Sequence, residues 1–146
     1  MSVLFSRQCE YAIQGILYLA LKPAGEMTSI KELTKRLDIP YHFLAKILQR
    51  LAATGLLVSA KGPTGGFALG KPARDITLFD IVQAIDGADF MEKCVLGFPE
   101  CSGKNPCSVH HIWGGLREEI YRMLSTKNIA ELAQEMKKPE YRAALG

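Results

Sequence analysis

Apolar residues recur at helical intervals from the start of the chain. Ser6 can cap a first helix, and Pro23 and Gly25 can end it. The apolar positions between them are numerous enough for a largely buried helix: Tyr11, Ala12, Ile16, Leu17, Leu19, Ala20 and Leu21. The pattern therefore predicts an N-terminal core helix.

Two shorter helices are predicted next. Ser29 and Glu32 have the spacing of a capping box, and Ile30, Leu33 and Leu37 follow at helical intervals. Asp38-Ile39-Pro40 breaks this helix, and Pro40 opens a third one. The inward positions of the third helix are Leu44, Ile47, Leu48 and Leu51. Two short helices joined by such a turn outline a helix-turn-helix.

The polar side of the third helix suggests a use for this motif. Five residues lie off the apolar stripe: Tyr41, His42, Lys46, Gln49 and Arg50. They provide hydrogen-bond donors and two cations, as a helix that reads a major groove requires. Taken alone, the same pattern fits an ordinary helical hairpin with a solvated polar face equally well.

The next segment favours DNA binding over the ordinary hairpin. Residues 56–59 and 67–69 are predicted strands around a glycine-rich tip at residues 61–66. Such a tip lets backbone N–H groups approach phosphates, while Lys61 adds charge. The fold class predicted is mainly α with a small β-hairpin wing, a winged helix-turn-helix. The candidate DNA contacts are Ser29, Tyr41, His42, Lys46, Gln49, Arg50, Lys61, Gly62, Pro63, Thr64, Gly65 and Gly66.

The second half of the chain contains more helices and one long loop. A helix is predicted from Thr77 to Gly87, and a loop without periodicity runs from about residue 88 to 107. A long helix to about Ser125 then carries an apolar stripe, and a shorter helix follows. We expect the long helix to form a homodimer, with recognition helices about 34 Å apart on a pseudo-palindromic operator. The stripe consists of Trp113, Leu116, Ile120, Met123 and Leu124.

Charge and composition agree with this division. Residues 1–75, the predicted DNA-binding region, carry a net charge of +5, whereas residues 76–146, the predicted loop and dimerisation region, carry −2. We expect one compact domain per subunit. No apolar run is long enough for a membrane span, and the N-terminus lacks a signal peptide pattern, so a cytoplasmic protein is expected. Neither a phosphate loop nor a nucleophile motif indicates an enzyme.

Three of the four cysteines lie in the long loop. Their pattern is Cys94-x6-Cys101-x5-Cys107, and His110 and His111 follow. A disulfide is not expected in a cytosolic chain, and thiolates with imidazole suit zinc or an iron–sulfur cluster. The spacing alone favours a metal centre over a thiol redox switch or unligated cysteines, and it leaves the metal open.

Nearly the whole chain resembles the Rrf-two (Rrf2) family of bacterial transcription regulators. The resemblance rests on Tyr11-Ala12, on Ile39 to Leu51, and on residues 55–57, 62–67 and 69–70 of the wing. It also rests on the three-cysteine loop that closes on Cys107-x2-His110. Members of the family that lack a cluster usually lack these cysteines, so the chain is similar to the cluster-binding type.

The resemblance implies an iron–sulfur cluster, [2Fe-2S] rather than [4Fe-4S], that controls operator affinity in response to redox state, nitric oxide or iron status. Cys94, Cys101 and Cys107 would be ligands. The fourth ligand is expected to be His110, one helical turn from Cys107, or alternatively Glu10 from the partner subunit. The chain has Lys61 where the wing of the family commonly carries arginine, and its middle cysteine spacing is one residue longer than in the cluster-regulator type of the family. The alternatives are a zinc or thiol-switch loop, or a structural module without a cluster.

Overall fold

The computed structural model describes residues 4–87 and 89–141. Within these residues, the structure has six α-helices and one small antiparallel hairpin, and short 3-10 turns lie at Ala73–Asp75 and Asp89–Met91. The helices are α1 (Arg7–Ala20), α2 (Ile30–Leu37), α3 (Tyr41–Ala53), α4 (Leu78–Ile85), α5 (His110–Thr126) and α6 (Ile129–Glu135), and the strands are β1 (Leu57–Ala60) and β2 (Gly66–Leu69).

Helix α1 occupies the centre of the core. The Ser6 hydroxyl accepts a hydrogen bond from the Cys9 backbone N–H at 3.1 Å and so caps the helix as predicted. Residues on several sides of α1 are buried, because α3, α4 and α6 all pack against it. Ala12 and Ile16 are fully buried. The predicted core helix is therefore confirmed.

The helix-turn-helix formed by α2 and α3 is present, with one difference from the predicted capping box. Ser29 accepts from the Glu32 backbone N–H at 3.1 Å, as expected. The Glu32 carboxylate does not return to Ser29. It accepts from the Tyr18 hydroxyl at 2.5 Å and pairs with Lys22 at 2.6 Å. These contacts attach α2 to α1. Asp38, in the left-handed conformation at φ 55°, ends α2.

The predicted hairpin is confirmed, although β1 lies one residue later than predicted and β2 begins one residue earlier. In the antiparallel register Leu57 pairs with Leu69, and Ala60 pairs with Gly66. A further bridge joins the hairpin to Thr28, two residues before α2, because the backbone groups of Thr28 and Phe67 exchange two hydrogen bonds of 2.8 and 2.9 Å. The wing is thereby fixed against the helix-turn-helix, and the fold is a winged helix-turn-helix.

Helices α4 and α6 return the second half of the chain to the core. Helix α4 begins with a complete capping box, in which Thr77 and Asp80 each accept from the other's backbone N–H. The Ile129 N–H donates to the Ile76 carbonyl at 2.7 Å, which holds the start of α6 beside the start of α4. Residues from both parts of the chain therefore share one hydrophobic core.

Helix α5 differs from the other long helices because most of its surface is open. It ends one residue beyond the predicted Ser125, and Leu124 is its buried residue. Three apolar side chains at helical spacing are more than half exposed, namely Ile112, Leu116 and Met123. Of the helices that the structure describes, none combines the length and apolarity needed to cross a bilayer.

We predict that Gly66→Ala destabilises the protein by about 2–3 kcal/mol. A Cβ atom at Gly66 would lie 2.2 Å from the Thr28 carbonyl oxygen. The backbone of Gly66 has a φ of +142°, which disfavours any residue other than glycine. Urea unfolding measures the loss. Gly103→Ala is the control, since a Cβ there meets no described atom within 4 Å. Equal midpoints for the two variants would contradict the close approach of wing and helix-turn-helix.

Candidate functional site

The outer face of α3 is polar and open. His42, Lys46 and Gln49 are spaced i, i+4 and i+7, so they share the side of the helix opposite the buried stripe. All three are exposed, as is Tyr41, whose ring packs edge-on against the His42 ring at 5.9 Å between centroids. Four of the five predicted recognition residues thus lie on open surface of α3.

Arg50, the fifth predicted recognition residue, is also exposed, but its guanidinium is hydrogen-bonded to other parts of the chain. Its guanidinium donates to the carbonyl of Ile85 at 2.9 Å and to that of Ala84 at 3.4 Å. It also donates to the Gln8 side chain at 3.2 Å. A cation on the last carbonyls of a helix is favourable because it satisfies them and opposes the helix dipole. Arg50 therefore joins α3 to the end of α4 and to the start of α1.

The tip of the wing has the shape expected of a tight, exposed turn. Lys61, Gly62, Pro63 and Thr64 are exposed, and the N–H of Gly65 donates to the Gly62 carbonyl at 3.0 Å. A Cβ at Gly65 would lie 2.1 Å from a backbone oxygen of β1, so only glycine fits there. Gly66 belongs to β2 itself, and Ser29 is exposed beside the wing while it caps α2.

Phe43 is an exposed residue of α3 that the sequence patterns did not single out. Its side chain is 58% exposed, although it is large and apolar. The signal was present in the sequence, because Phe43 falls outside the inward stripe of Leu44, Ile47 and Leu48. An apolar side chain on a recognition helix is suited to contact a thymine methyl group.

The structure brings the three loop cysteines together. The sulfur atoms of Cys94, Cys101 and Cys107 all lie within 4.8 Å of one another, and among the described residues they form a group that could hold a metal ion. The Cys94 and Cys107 sulfurs are 3.7 Å apart. All three are free thiols, and each is partly exposed. Residues separated by up to thirteen positions thus converge on one point.

His110 adjoins this group through one nitrogen. Its Nδ1 lies 3.3 Å from the Cys101 sulfur, which also accepts from the Cys107 backbone N–H at 3.4 Å. His110 is the first residue of α5, so the helix start holds it next to the loop. Glu10 lies in the first turn of α1, outside the cysteine group of its own chain. The remaining cysteine, Cys9, is fully buried in the core.

The pKa values of two thiols in the group shift in opposite directions. The backbone N–H of Cys107 lowers the pKa of Cys101, but burial and the neighbouring thiols of Cys107 and Cys94 raise it overall. Burial raises the pKa of the Cys94 thiol, but hydrogen bonds from the backbone of Phe98 and Leu96 and from the thiols of Cys107 and Cys101 together outweigh it, and the pKa falls to about 7. Thiolate is the form that binds metal. Three thiolates this close repel one another, so all three ionise together only when a cation neutralises them.

The chain defines a winged helix-turn-helix protein with a cysteine centre beside its long helix. The sequence profile of the Rrf2 family, described as "Iron-dependent Transcriptional regulator", matches residues 5–135. The protein therefore belongs to the Rrf2 family and is a DNA-binding transcription regulator, as the resemblance in its sequence implied.

Similar proteins agree with this assignment. An HTH-type transcriptional regulator of Aquifex aeolicus is 36% identical over 132 residues, 89% of this chain and 91% of its own. The HTH-type transcriptional regulator IscR of Yersinia pseudotuberculosis is 32% identical over 122 residues, 84% of this chain and 74% of its own.

Solved structures share the fold. CymR, the global cysteine regulator of B. subtilis, superposes with a TM-score of 0.77 at 22% identity, over 92% of this chain and 98% of its own. T. potens IscR gives a TM-score of 0.72 at 23% identity, over 100% of this chain and 96% of its own. The predicted winged architecture is thereby confirmed.

Removing the Lys46 side chain and removing the Arg50 side chain are expected to have different effects on DNA binding and on stability. Lys46→Ala should weaken binding to a duplex selected from a random library and lower the salt slope by about one, with an unchanged melting temperature. Arg50→Met should lower the melting temperature, because it removes the hydrogen bonds to α4, and should leave the salt slope unchanged. An Arg50→Met protein with normal melting and a reduced slope would show that Arg50 contacts phosphate instead.

Proposed function

We propose that this regulator holds an iron–sulfur cluster through Cys94, Cys101 and Cys107, and that the state of this centre sets its affinity for operator DNA. The observation that carries the proposal is the convergence of three sulfur atoms within 4.8 Å in a loop with little regular structure. Long loops of this kind in compact domains usually have a function.

The donor set suits such a cluster. Cysteine thiolates are the usual ligands of iron–sulfur clusters, and histidine replaces cysteine in some [2Fe-2S] centres, so [2Fe-2S] is favoured over [4Fe-4S]. When bound, the cluster would supply one-electron redox chemistry and sensitivity to oxidants or nitric oxide. The description of the family as iron-dependent supports iron over other metals.

His110 is the proposed fourth ligand. Its Nδ1 lies beside the Cys101 sulfur, and α5 fixes the backbone that carries it. The alternative is Glu10, which would have to reach the loop of the partner subunit from the first turn of α1. His110 requires only residues of the same chain, so less must be ordered when the site fills.

The regulator is proposed to act as a homodimer on a pseudo-palindromic operator. The exposed apolar side chains of α5, Ile112, Leu116 and Met123, are suited to packing against a second copy. Tyr41, His42, Lys46 and Gln49 would then enter the major groove. Residues 61–66 of the wing would follow the backbone or the minor groove, and Ser29 at the start of α2 would lie near phosphate.

The position of α4 offers a physical route between the cysteines and DNA. Helix α4 packs against both α3 and α5, and the chain leaves its end directly toward the cysteine loop. We infer that the arrangement of the loop changes the placement of α5 relative to α3, and hence the spacing of the two recognition helices. The coupling is reciprocal and typically amounts to about 1–3 kcal/mol.

A zinc site is the second candidate. Two thiolates on one tetrahedral ion with metal–sulfur bonds of about 2.3 Å lie about 3.8 Å apart. The Cys94–Cys107 distance of 3.7 Å matches this value. The same distance fits two thiolates on one iron of a cluster, so metal analysis is needed to decide between them.

Anaerobic purification and reconstitution test the proposal. We expect a coloured protein with iron and sulfide, and an operator affinity that changes about 5- to 150-fold on cluster removal. Cys101→Ser should abolish both the colour and the change. The matched control is Cys9→Ala, which alters a cysteine outside the group and should retain both. A colourless, iron-free protein that contains zinc would overturn the iron–sulfur proposal.

The fourth ligand is tested by single substitutions. His110→Gln should shift the visible absorption and electron paramagnetic resonance spectra of the reconstituted protein, because a ligand nitrogen is lost. His111→Gln is the control, since the His111 ring is exposed and adjoins that of His110. Glu10→Gln should leave the spectra unchanged. The opposite result, with Glu10→Gln altering the spectra and His110→Gln silent, would assign the partner's carboxylate.

A further inference from the structure

Two side chains of α5 hold the backbone just before the first loop cysteine. The indole N–H of Trp113 donates to the carbonyl of Lys93 at 3.0 Å. The guanidinium of Arg117 donates to the carbonyl of Met91 at 2.5 Å, in a partly buried contact. The segment between Lys93 and α5 forms no helix or strand in the structure, and its backbone–backbone hydrogen bonds lie in short turns, such as that from Gly97 to Cys94. The two bonds from α5 tie the start of this segment to a regular element.

The bond from Trp113 acts directly on Cys94. The carbonyl of Lys93 belongs to the peptide unit that ends at the Cα atom of Cys94, and this unit is planar and rigid. A donor that fixes the oxygen therefore fixes the orientation of the whole plane and limits where the Cys94 thiol can lie. The Arg117 contact, two residues earlier, restricts the approach of the chain to that plane.

These contacts lie on the same face of α5 as the candidate ligand. His110, Trp113 and Arg117 are spaced i, i+3 and i+7, which places them within one narrow stripe of the helix. His110 reaches Cys101 at 3.3 Å, while the other two reach the segment before Cys94. A single rigid element thus contacts both the start of the cysteine loop, before Cys94, and its middle, at Cys101.

We propose that Trp113 and Arg117 are positioning residues for the cysteine centre: they hold Cys94 beside Cys101 and Cys107 before any metal binds. The proposal rests on the proposed function in that it treats the three cysteines as ligands. Its physical basis is that a loop already ordered loses less conformational entropy when the site fills.

Metal affinity gives the first test. Cobalt(II), added to anaerobic metal-free protein, reports on thiolate ligands through its charge-transfer absorption. Trp113→Phe keeps an aromatic ring and removes the donor, and Arg117→Met removes the guanidinium. Each should raise the cobalt dissociation constant about 10- to 100-fold, and Arg117→Lys should restore part of the affinity. Arg122→Met is the matched control, because Arg122 pairs with Glu119 on its own helix.

A metal-free measurement gives the second test. In a Cys101→Ser background, equilibration with oxidised and reduced glutathione joins Cys94 and Cys107, with one glutathione disulfide reduced to two thiols for each bond formed. The equilibrium constant is the effective concentration of one thiol at the other. Trp113→Phe and Arg117→Met should lower it by a factor similar to the loss of cobalt affinity, with unchanged helix content by circular dichroism.

The outcomes separate this inference from the proposed function. If both variants keep the effective concentration and the cobalt affinity, and the parent protein binds an iron–sulfur cluster, the positioning role is overturned. The proposed iron–sulfur function then still stands. If the variants lower the effective concentration but the parent protein takes up no iron, the positioning role is supported and the iron–sulfur proposal fails. If Trp113→Phe loses helix content, the positioning role is judged from Arg117→Met and from the affinity that Arg117→Lys restores.

Discussion

The burial of α1 among α3, α4 and α6 is the interaction on which the rest of the structure depends. Fully buried residues such as Ala12 and Ile16 leave no space for water, so the surrounding helices have one close-packed arrangement. The recognition helix α3 and the first helix after the wing are both held against this core. Without it, neither the polar face of α3 nor the approach to the cysteine loop would have a defined position.

Hydrogen bonds between elements refine this arrangement at its edges. Glu32 attaches α2 to α1 through Tyr18 and Lys22, and Arg50 attaches α3 to the end of α4. The carboxylate of Asp86, just beyond α4, accepts from both the backbone N–H and the hydroxyl of Ser6. Arg50 and Asp86 bond to backbone groups at helix ends, and Glu32 bonds to side chains, so these contacts orient the helices as well as stabilise them.

The cysteine loop has little regular structure of its own, and its geometry comes from its neighbours. Helix α5 supplies His110 at its first residue and donors from its next two turns. The same helix carries the exposed apolar face proposed for the homodimer. A helix that contacts the cysteines on one side and a second copy on the other is well placed to link the centre to the geometry of the dimer.

The sequence by itself determined the elements whose cause is local. The spacing of Leu44, Ile47 and Leu48, the cap at Ser6 and the capping box of Thr77 and Asp80 specify helices through contacts within a few residues. The clustering of three cysteines in one loop likewise indicates a metal centre by its spacing alone. Only the tertiary structure decided the partners of Glu32, Arg50, Trp113 and Arg117, and the approach of the sulfurs to within 4.8 Å. These depend on how distant segments pack, and a polar side chain gives the same local signal whether it faces water, DNA or a remote carbonyl.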